Sequence, residues 1–333
     1  MWCARVGTPA AIIGTMTEQP DATPSGTTPS GTTQPVETRK QRATRRAGEF
    51  PPVPEPLAVP VLDSHTHLDI TVHEAGVPGV PGLSEGADPV EALIARAAKV
   101  GVDRLVQVGV DVQSSRWGAE LAARHDAVLA TVALHPNEAP LLAERGELDE
   151  ALRVVESLAA QPRVRGIGET GLDTFRTGED GRVAQEAAFR AHIAIAKRHG
   201  KPLMIHDRDA HDAVLRVLDD EGAPDTVILH CFSGDATFAA ECVRRGYLLS
   251  FAGTVTFGSA GALREAAALT PREQMLVETD APFLTPVPYR GRPNASYLIP
   301  VTVRALAEVT GTDLDTLCAA ISATGERAFG PWS

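Results

Sequence analysis

Short apolar runs rich in β-branched residues alternate with amphipathic segments from residue 59 onward. The apolar runs predict eight strands, at 59–63, 104–110, 128–134, 164–168, 202–206, 226–230, 247–251 and 275–278. The segments between them carry apolar residues at a spacing of about 3.6, which predicts helices. Regular alternation of strands and helices is typical of parallel strands joined by right-handed crossovers. Eight such units predict an α/β fold, a TIM (β/α)8 barrel.

Several helix ends have recognisable residues. Asp88 is a capping residue, and Pro89 follows it at the first helical position, so a helix is expected to begin there. Gly200, Gly222 and Gly246 stand where glycines commonly end helices. These signals place helix boundaries between the predicted strands, as the barrel requires.

The chain before the barrel has a different composition. Residues 23–33 are of low complexity and residues 51–56 are rich in proline, so residues 1–56 are predicted to be a disordered tail. A basic cluster at 39–46 lies within it and is interpreted as solvated charge in preference to a nucleic-acid contact. The barrel domain is expected to span 57–333.

Composition narrows the class of protein. Of the 333 residues 43% are hydrophobic, enough for a large core, but no apolar run approaches the roughly 18 residues that span a membrane. The start lacks a secretory signal, so the expectation is a cytoplasmic protein with no membrane partner. The net charge of −12 argues against a broad basic surface that coats nucleic acid. It does not exclude a site that holds a few phosphates through metal ions.

The four cysteines are not arranged for cross-linking. Cys3, Cys231, Cys242 and Cys318 form no CxxC pair and have no regular spacing. Neither a disulfide framework nor a zinc knuckle is therefore predicted.

Two histidines close the first predicted strand. His65 and His67 are two residues apart, so on a strand both side chains point to one face, here the mouth of the barrel. Two imidazoles at this spacing can bind a borderline-soft cation.

Four further residues of metal-binding type close later strands. They are Glu169, His206, His230 and Asp280. Side chains at the carboxyl ends of barrel strands converge on one pocket, so these distant residues can share one metal centre with the two histidines. Glu169 lies among glycines, which we expect to leave room for two cations around its carboxylate. Asp280 is placed to bind metal and to hold or deprotonate a water molecule.

These motifs together resemble the TatD family of metal-dependent hydrolases and deoxyribonucleases. The matching stretches are DSHTHLD at 63–69, ALHP at 133–136, GIGETGLD at 166–173, IHDRDA at 205–210, LHCFSGD at 229–235 and VETDAPFL at 277–284. They cover nearly all of the predicted barrel.

The resemblance implies a site with two divalent cations. One would be held by His65, His67 and Asp280, the other by His206 and His230, with Glu169 bridging them. Asp280 and Glu169 would be the catalytic residues. Histidine-rich ligation favours zinc, manganese or cobalt, although magnesium can support turnover where it is abundant.

Three side chains are implied at the substrate phosphate: His135, Arg176 and Arg208. The expected substrate is DNA, as a single strand or an end, and no obligatory protein partner is evident. One aromatic residue, Phe175, precedes Arg176 where the family usually has two. That difference weakens any inference about nucleotide preference.

The function implied is a metal-dependent exonuclease that hydrolyses phosphodiester bonds with an activated water. The alternative is a metal-dependent ester or amide hydrolase, such as a D-aminoacyl-tRNA deacylase, because barrel metal sites serve both reactions. A metal-dependent binding scaffold is the third class considered. The loop at 70–88 is longer than usual and is interpreted either as a lid or as a tolerated insertion.

Overall fold

The computed structural model describes residues 49–74 and 87–332. It contains all eight predicted strands: β1 (Val61–Thr66), β2 (Val102–Val108), β3 (Val128–Val132), β4 (Val164–Asp173), β5 (Leu203–Arg208), β6 (Val227–Leu229), β7 (Leu248–Phe251) and β8 (Met275–Val277). They form one sheet in the order β1 to β8, and every adjacent pair is parallel.

The sheet curves round until its last strand meets its first. Thr66 and Ala281 form a parallel bridge, and the backbone N–H of Asp280 donates to the carbonyl of His65 at 2.9 Å. The N–H of His67 likewise donates to the carbonyl of Ala281. The predicted TIM barrel is therefore confirmed, as a nearly closed barrel.

Helices cover the outside of the sheet. In the described residues they are α1 (Leu68–Glu74), α2 (Pro89–Ala98), α3 (Val112–Arg124), α4 (Ala139–Glu144), α5 (Leu148–Ala159), α6 (Glu179–His199), α7 (His211–Glu221), α8 (Ala236–Arg244), α9 (Gly261–Leu269), α10 (Ile299–Thr310) and α11 (Leu314–Phe329). Short 3-10 turns lie at Gly253–Thr256, Arg272–Gln274 and Ser296–Leu298. Within the described part of the chain, two helices follow each of β1, β3 and β8, where strict alternation predicts one.

The strands have continuous apolar sequences because both of their faces are covered by other parts of the protein. All residues of β1, β3, β6 and β8 are buried, as expected for parallel strands packed between a filled interior and outer helices. The helix ends follow the sequence signals. The Asp88 side chain accepts from the N–H of Val90 at 2.8 Å, and Gly200 ends α6 in the left-handed conformation, with φ 58°.

β4 is longer than the sequence predicts. It was expected to end at residue 168, yet it continues to Asp173 and pairs with β5 as far as the Asp173 and Arg208 partners. Glu169 and His206 therefore lie inside paired strands, whereas the sequence places them at strand ends. Because β4 and β5 stay paired beyond both ligands, the two strands position them more firmly than a loop would.

The last eight residues of the predicted tail lie on the barrel and have no regular secondary structure. Phe50 is buried in the core, and the Tyr297 hydroxyl donates to the carbonyl of Pro51 at 2.6 Å. Arg292 donates to the carbonyls of Glu49 and Phe50. The basic cluster at 39–46 and the rest of the tail lie outside the described residues, so the boundary at residue 56 stays a prediction.

The loop predicted at 70–88 begins as a helix, because α1 extends to Glu74. Residues 75–86 lie outside the described residues, so the choice between a lid and an insertion stays open. Within the described ranges no helix is long and apolar enough to cross a membrane. The cytoplasmic location stays a prediction.

Candidate metal centre

The barrel brings all six predicted metal ligands together at the carboxyl ends of its strands. His65 and His67 come from the end of β1, Glu169 from β4, His206 from β5, His230 from the residue after β6, and Asp280 from the loop after β8. Their atoms fall into overlapping groups, each with ligand atoms within 4.8 Å of one another. Predicted ligands that are far apart in sequence are therefore neighbours in space.

The first group consists of His65, His67 and Asp280. The Nε2 atoms of the two histidines are 3.1 Å apart. Oδ1 of Asp280 lies 3.6 Å from Nε2 of His65 and 3.5 Å from Nε2 of His67. Three donor atoms thus face one point, the arrangement that a cation requires.

Glu169 lies between this group and a second set of histidines. Its Oε2 is 3.3 Å from Nε2 of His65. Its Oε1 is 2.9 Å from Nδ1 of His206, 3.1 Å from Nε2 of His230 and 3.2 Å from Nε2 of His135. One carboxylate therefore directs a different oxygen toward each side, which is the disposition expected of a bridging ligand.

The β1 histidines are oriented by groups behind them. Nδ1 of His67 donates to the carbonyl of Val108 at 3.1 Å, so Nε2 is the nitrogen that faces the centre. Nδ1 of His65 contacts the sulfur of Met204 at 3.1 Å. Both rings are thereby held with Nε2 toward Asp280.

Two carboxylates that the sequence did not single out orient the other histidines. Oε1 of Glu278 is 3.2 Å from Nδ1 of His230 and also accepts from the N–H of Cys231 at 2.9 Å. Oδ2 of Asp173 is 3.4 Å from Nε2 of His206. Both residues lie in the motifs that contain the ligands. This position is the sequence signal from which they could have been predicted. Paired carboxylates of this kind fix the ring orientation of metal-binding histidines.

Asp280 is positioned through its neighbour Thr279. Asp63, buried in β1, accepts from the N–H of Thr279 at 2.9 Å and from its hydroxyl at 2.6 Å. Burial raises the pKa of Asp63 to about 7, although the hydrogen bonds from Thr279 and Ser296 oppose the rise. Asp280 itself has φ 53°, a conformation uncommon for residues other than glycine. The bonds to Asp63 hold the chain in that conformation.

The glycines around Glu169 make room for the neighbouring strand. A Cβ on Gly168 would lie 2.5 Å from Cβ of Met204, and one on Gly171 would lie 2.1 Å from the carbonyl oxygen of His206. The expectation that they also leave room for cations stays a prediction. β5 approaches β4 so closely that only hydrogen fits, and this approach brings His206 to Glu169.

The electrostatics of the centre are those of a charged network shielded from water. Burial disfavours charge on Glu169, but the positive charges of His230 and His135 keep its pKa well below the usual value. Burial also opposes protonation of His67, yet the hydrogen bond and charge of Asp280 raise its pKa to about 9. In His65 burial prevails and the pKa is lowered. Protons on some histidines thus balance the carboxylates, the role that a divalent cation would take over.

The three predicted phosphate contacts lie in different surroundings. His135 is buried, with Nε2 beside Glu169, and it forms a further possible ligand group with Glu169 and His206. Arg176 and Arg208 are exposed at the rim. The Arg208 guanidinium lies 4.2 Å from the centroid of the Phe175 ring. Only His135 therefore touches the ligand cluster directly.

The fit between residues and metal can be judged from the donor atoms. Imidazole nitrogens and carboxylate oxygens converge within 2.9–3.8 Å of one another, and histidine with carboxylate is the donor set of zinc, manganese and related ions. A barrel with such a cluster at its carboxyl ends is typical of metal-dependent hydrolases.

The family follows from comparison with known proteins. The family model described as TatD related DNase matches residues 62–330, so the chain belongs to the TatD family and is a metal-dependent hydrolase. It is 47% identical over 274 residues to the uncharacterized metal-dependent hydrolase TatD of Mycobacterium tuberculosis, a match that covers 81% of this chain and 98% of that relative.

Two further relatives extend the comparison to activity and structure. The 3'-5' ssDNA/RNA exonuclease TatD of Citrobacter rodentium is 35% identical over 247 residues, covering 72% of this chain and 91% of the relative. The solved structure of YJJV, a TatD homologue from Escherichia coli, matches with a TM-score of 0.70 and 25% identity. That match covers 81% of this chain and 97% of the solved one.

Proposed function

We propose that the protein is a divalent-metal-dependent exonuclease that hydrolyses phosphodiester bonds of single-stranded DNA or of DNA ends. The observation that carries the proposal is Glu169, whose two carboxylate oxygens face two different sets of histidines. Two cations held close together suit phosphodiester hydrolysis, because both the attacking and the leaving oxygen need stabilisation. The name of the Citrobacter rodentium relative, a 3'-5' ssDNA/RNA exonuclease, supports the same substrate class.

Each residue would have a defined part in holding the cations. His65, His67 and Asp280 would hold one cation, and His206 and His230 the other, with Glu169 contacting both. Bound divalent cations make water more acidic and offset negative charge on phosphoryl oxygens.

Asp280 is the residue best placed to handle the proton of the attacking water. Its side chain is 16% exposed, against 5% for Glu169, so Asp280 faces the mouth of the barrel where water enters. The hydrogen bond from His67 and the positive charges of nearby histidines overcome burial and lower the pKa of Asp280, so Asp280 is ionised and can accept a proton. His135, Arg176 and Arg208 would bind the substrate phosphates, the two arginines from the rim.

The proposal is tested with purified protein stripped of metal and then given Mg²⁺, Mn²⁺ or Zn²⁺ in turn. The substrate is single-stranded DNA labelled at one end or the other, which also reports the direction of attack. Asp280→Asn should abolish cleavage without preventing folding. Asp225→Asn is the matched control, because Asp225 is exposed and precedes β6 at the opposite end of the barrel.

Two outcomes would contradict the proposal. Intact DNA under every metal, with protein shown to rebind cations, would overturn the nuclease assignment and favour the ester or amide reaction, tested next on a charged tRNA. Full activity of Glu169→Ala with metal bound would refute the bridging role, because that variant lacks the carboxylate between the two groups.

A further inference from the structure

Two aromatic rings are exposed at the mouth of the barrel. Phe175 is 63% exposed and Phe283 is 43% exposed. Phe175 follows two residues after Asp173, which contacts His206. Phe283 follows three residues after Asp280, and the centroid of its ring is 6.5 Å from that of His67. Each ring is therefore close along the chain to one side of the ligand cluster.

The two rings lie on opposite sides of the centre. Phe175 follows β4 and Phe283 follows β8, and these strands are four positions apart in a sheet of eight ordered β1 to β8. In a barrel closed in that order they face each other across the axis. The ligand cluster, with Glu169 at its middle, lies between them.

Neither ring contributes to the core. Both are absent from the buried cluster that includes other phenylalanines such as Phe189 and Phe251. Phe175 has one face covered by the Arg208 guanidinium at 4.2 Å, and with 63% of the residue exposed the rest of the ring is open. Exposed aromatic residues beside a functional cleft are commonly binding elements, since their burial by a ligand is favourable.

We propose that Phe175 and Phe283 stack on unpaired bases of the substrate, one on each side of the phosphodiester that is cleaved. This inference rests on the proposed function and names how the site would recognise a single strand. Bases in a duplex are already stacked on one another, so only unpaired bases can reach two rings set apart across the mouth. The net charge of −12 argues against a broad basic surface, so base stacking adds sequence-tolerant affinity to the few phosphate contacts that the proposed cations and rim arginines make.

The test uses the metal-loaded enzyme and single strands with one abasic position next to the labelled bond. Wild type should show a KM about tenfold higher on strands abasic at either flanking position, since stacking on an aromatic residue contributes about one power of ten per base. Phe175→Ala and Phe283→Ala should each raise KM about tenfold on normal strands. For each variant, an abasic position on one side of the labelled bond should cause no further rise in KM, because the substitution and the missing base remove the same contact.

Three controls keep the result specific. Leu269→Ala truncates another exposed apolar side chain, 58% exposed at the end of α9, and should leave KM unchanged. Phe175→Tyr should retain wild-type KM. Melting temperatures of the variants should match wild type, since neither ring is in the core.

The possible failures are distinct. Cleavage by both alanine variants with wild-type KM, together with equal cleavage of normal and abasic strands, would overturn the stacking inference and leave the nuclease proposal standing. Absence of cleavage of any strand by the wild type would overturn the proposed function, and the inference with it.

Discussion

One buried histidine on an outer helix should make the fold sensitive to acid. His192, in α6, accepts a hydrogen bond at Nε2 from the N–H of Leu134 at 3.1 Å. Its Nδ1 therefore carries the proton and donates to the carbonyl of Ala188 at 2.6 Å, with the Thr170 hydroxyl 3.0 Å away. Protonation of Nε2 would break the bond to Leu134 and bury a charge. Burial accordingly lowers the pKa of His192 to about 4, against an ordinary 6.5.

The magnitude follows from the two pKa values. Because the folded pKa is depressed, the unfolded chain takes up this proton first, and the stability present above pH 6.5 is lost as the pH falls toward 4. Between about pH 8 and about pH 5 the loss amounts to about 2 kcal/mol of unfolding free energy.

The assay compares wild type with His192→Gln by urea unfolding at several pH values, with a chelator present in both. The amide of glutamine can donate and accept but does not titrate in this range, and the remaining titratable groups are the same in both proteins. The variant should therefore lose about 2 kcal/mol less than wild type over the interval. Parallel pH dependences of the two proteins would refute the account of His192 as a buried neutral ring.

Further measurements test other parts of the structure. Gly171→Ala should destabilise the fold by about 3 kcal/mol or more, because φ is 134° and the new Cβ would lie 2.1 Å from the His206 carbonyl oxygen. Gly258→Ala is the control, because a Cβ at Gly258 would have no atom within 4 Å. Equal melting temperatures of the two variants would contradict the prediction. Tyr297→Phe removes the 2.6 Å hydrogen bond to Pro51 and should lower the free energy of unfolding by about 1 kcal/mol. Hydrogen exchange or proteolysis near residue 51 should become faster. Unchanged rates there would contradict the packing of residues 49–56. Zinc binding near pH 7 should release protons, because the metal-free pKa of His67 is about 9. Calorimetry in buffers of different ionisation enthalpy measures this release. A heat of zinc binding that does not depend on the buffer would contradict the prediction.

The strands and ligands could be predicted because their physical requirements leave a pattern in the sequence. Strands such as β3, buried on both faces, require uninterrupted apolar runs. A ligand such as His230 interrupts the apolar pattern at the end of such a run. Functional residues whose location follows from strand direction can therefore be predicted from the sequence alone.

Other features leave no such pattern. The carboxylate of Glu278 meets the ring of His230 because of side-chain conformation, which sequence spacing does not specify. Residues 49–56 resemble a disordered segment in composition, yet their backbone carbonyls accept bonds from Arg292 and Tyr297. Every residue offers a backbone carbonyl, so this docking could not be recognised from residue types.

The charge balance of the centre connects its chemistry with the acidity of the chain. Glu169, Asp280, Glu278 and Asp173 are carboxylates gathered around five histidines, and buried charge is costly unless it is compensated. Without metal the compensation comes from protonated imidazoles, which the raised pKa values of His67 and His230 reflect. Cations and protons compete for these nitrogens, so metal affinity should rise with pH. Attraction for a phosphate at the mouth would then depend on bound cations as well as on the rim arginines. Contacts that carry no charge, such as those of the exposed rings, would add affinity for a polyanionic substrate.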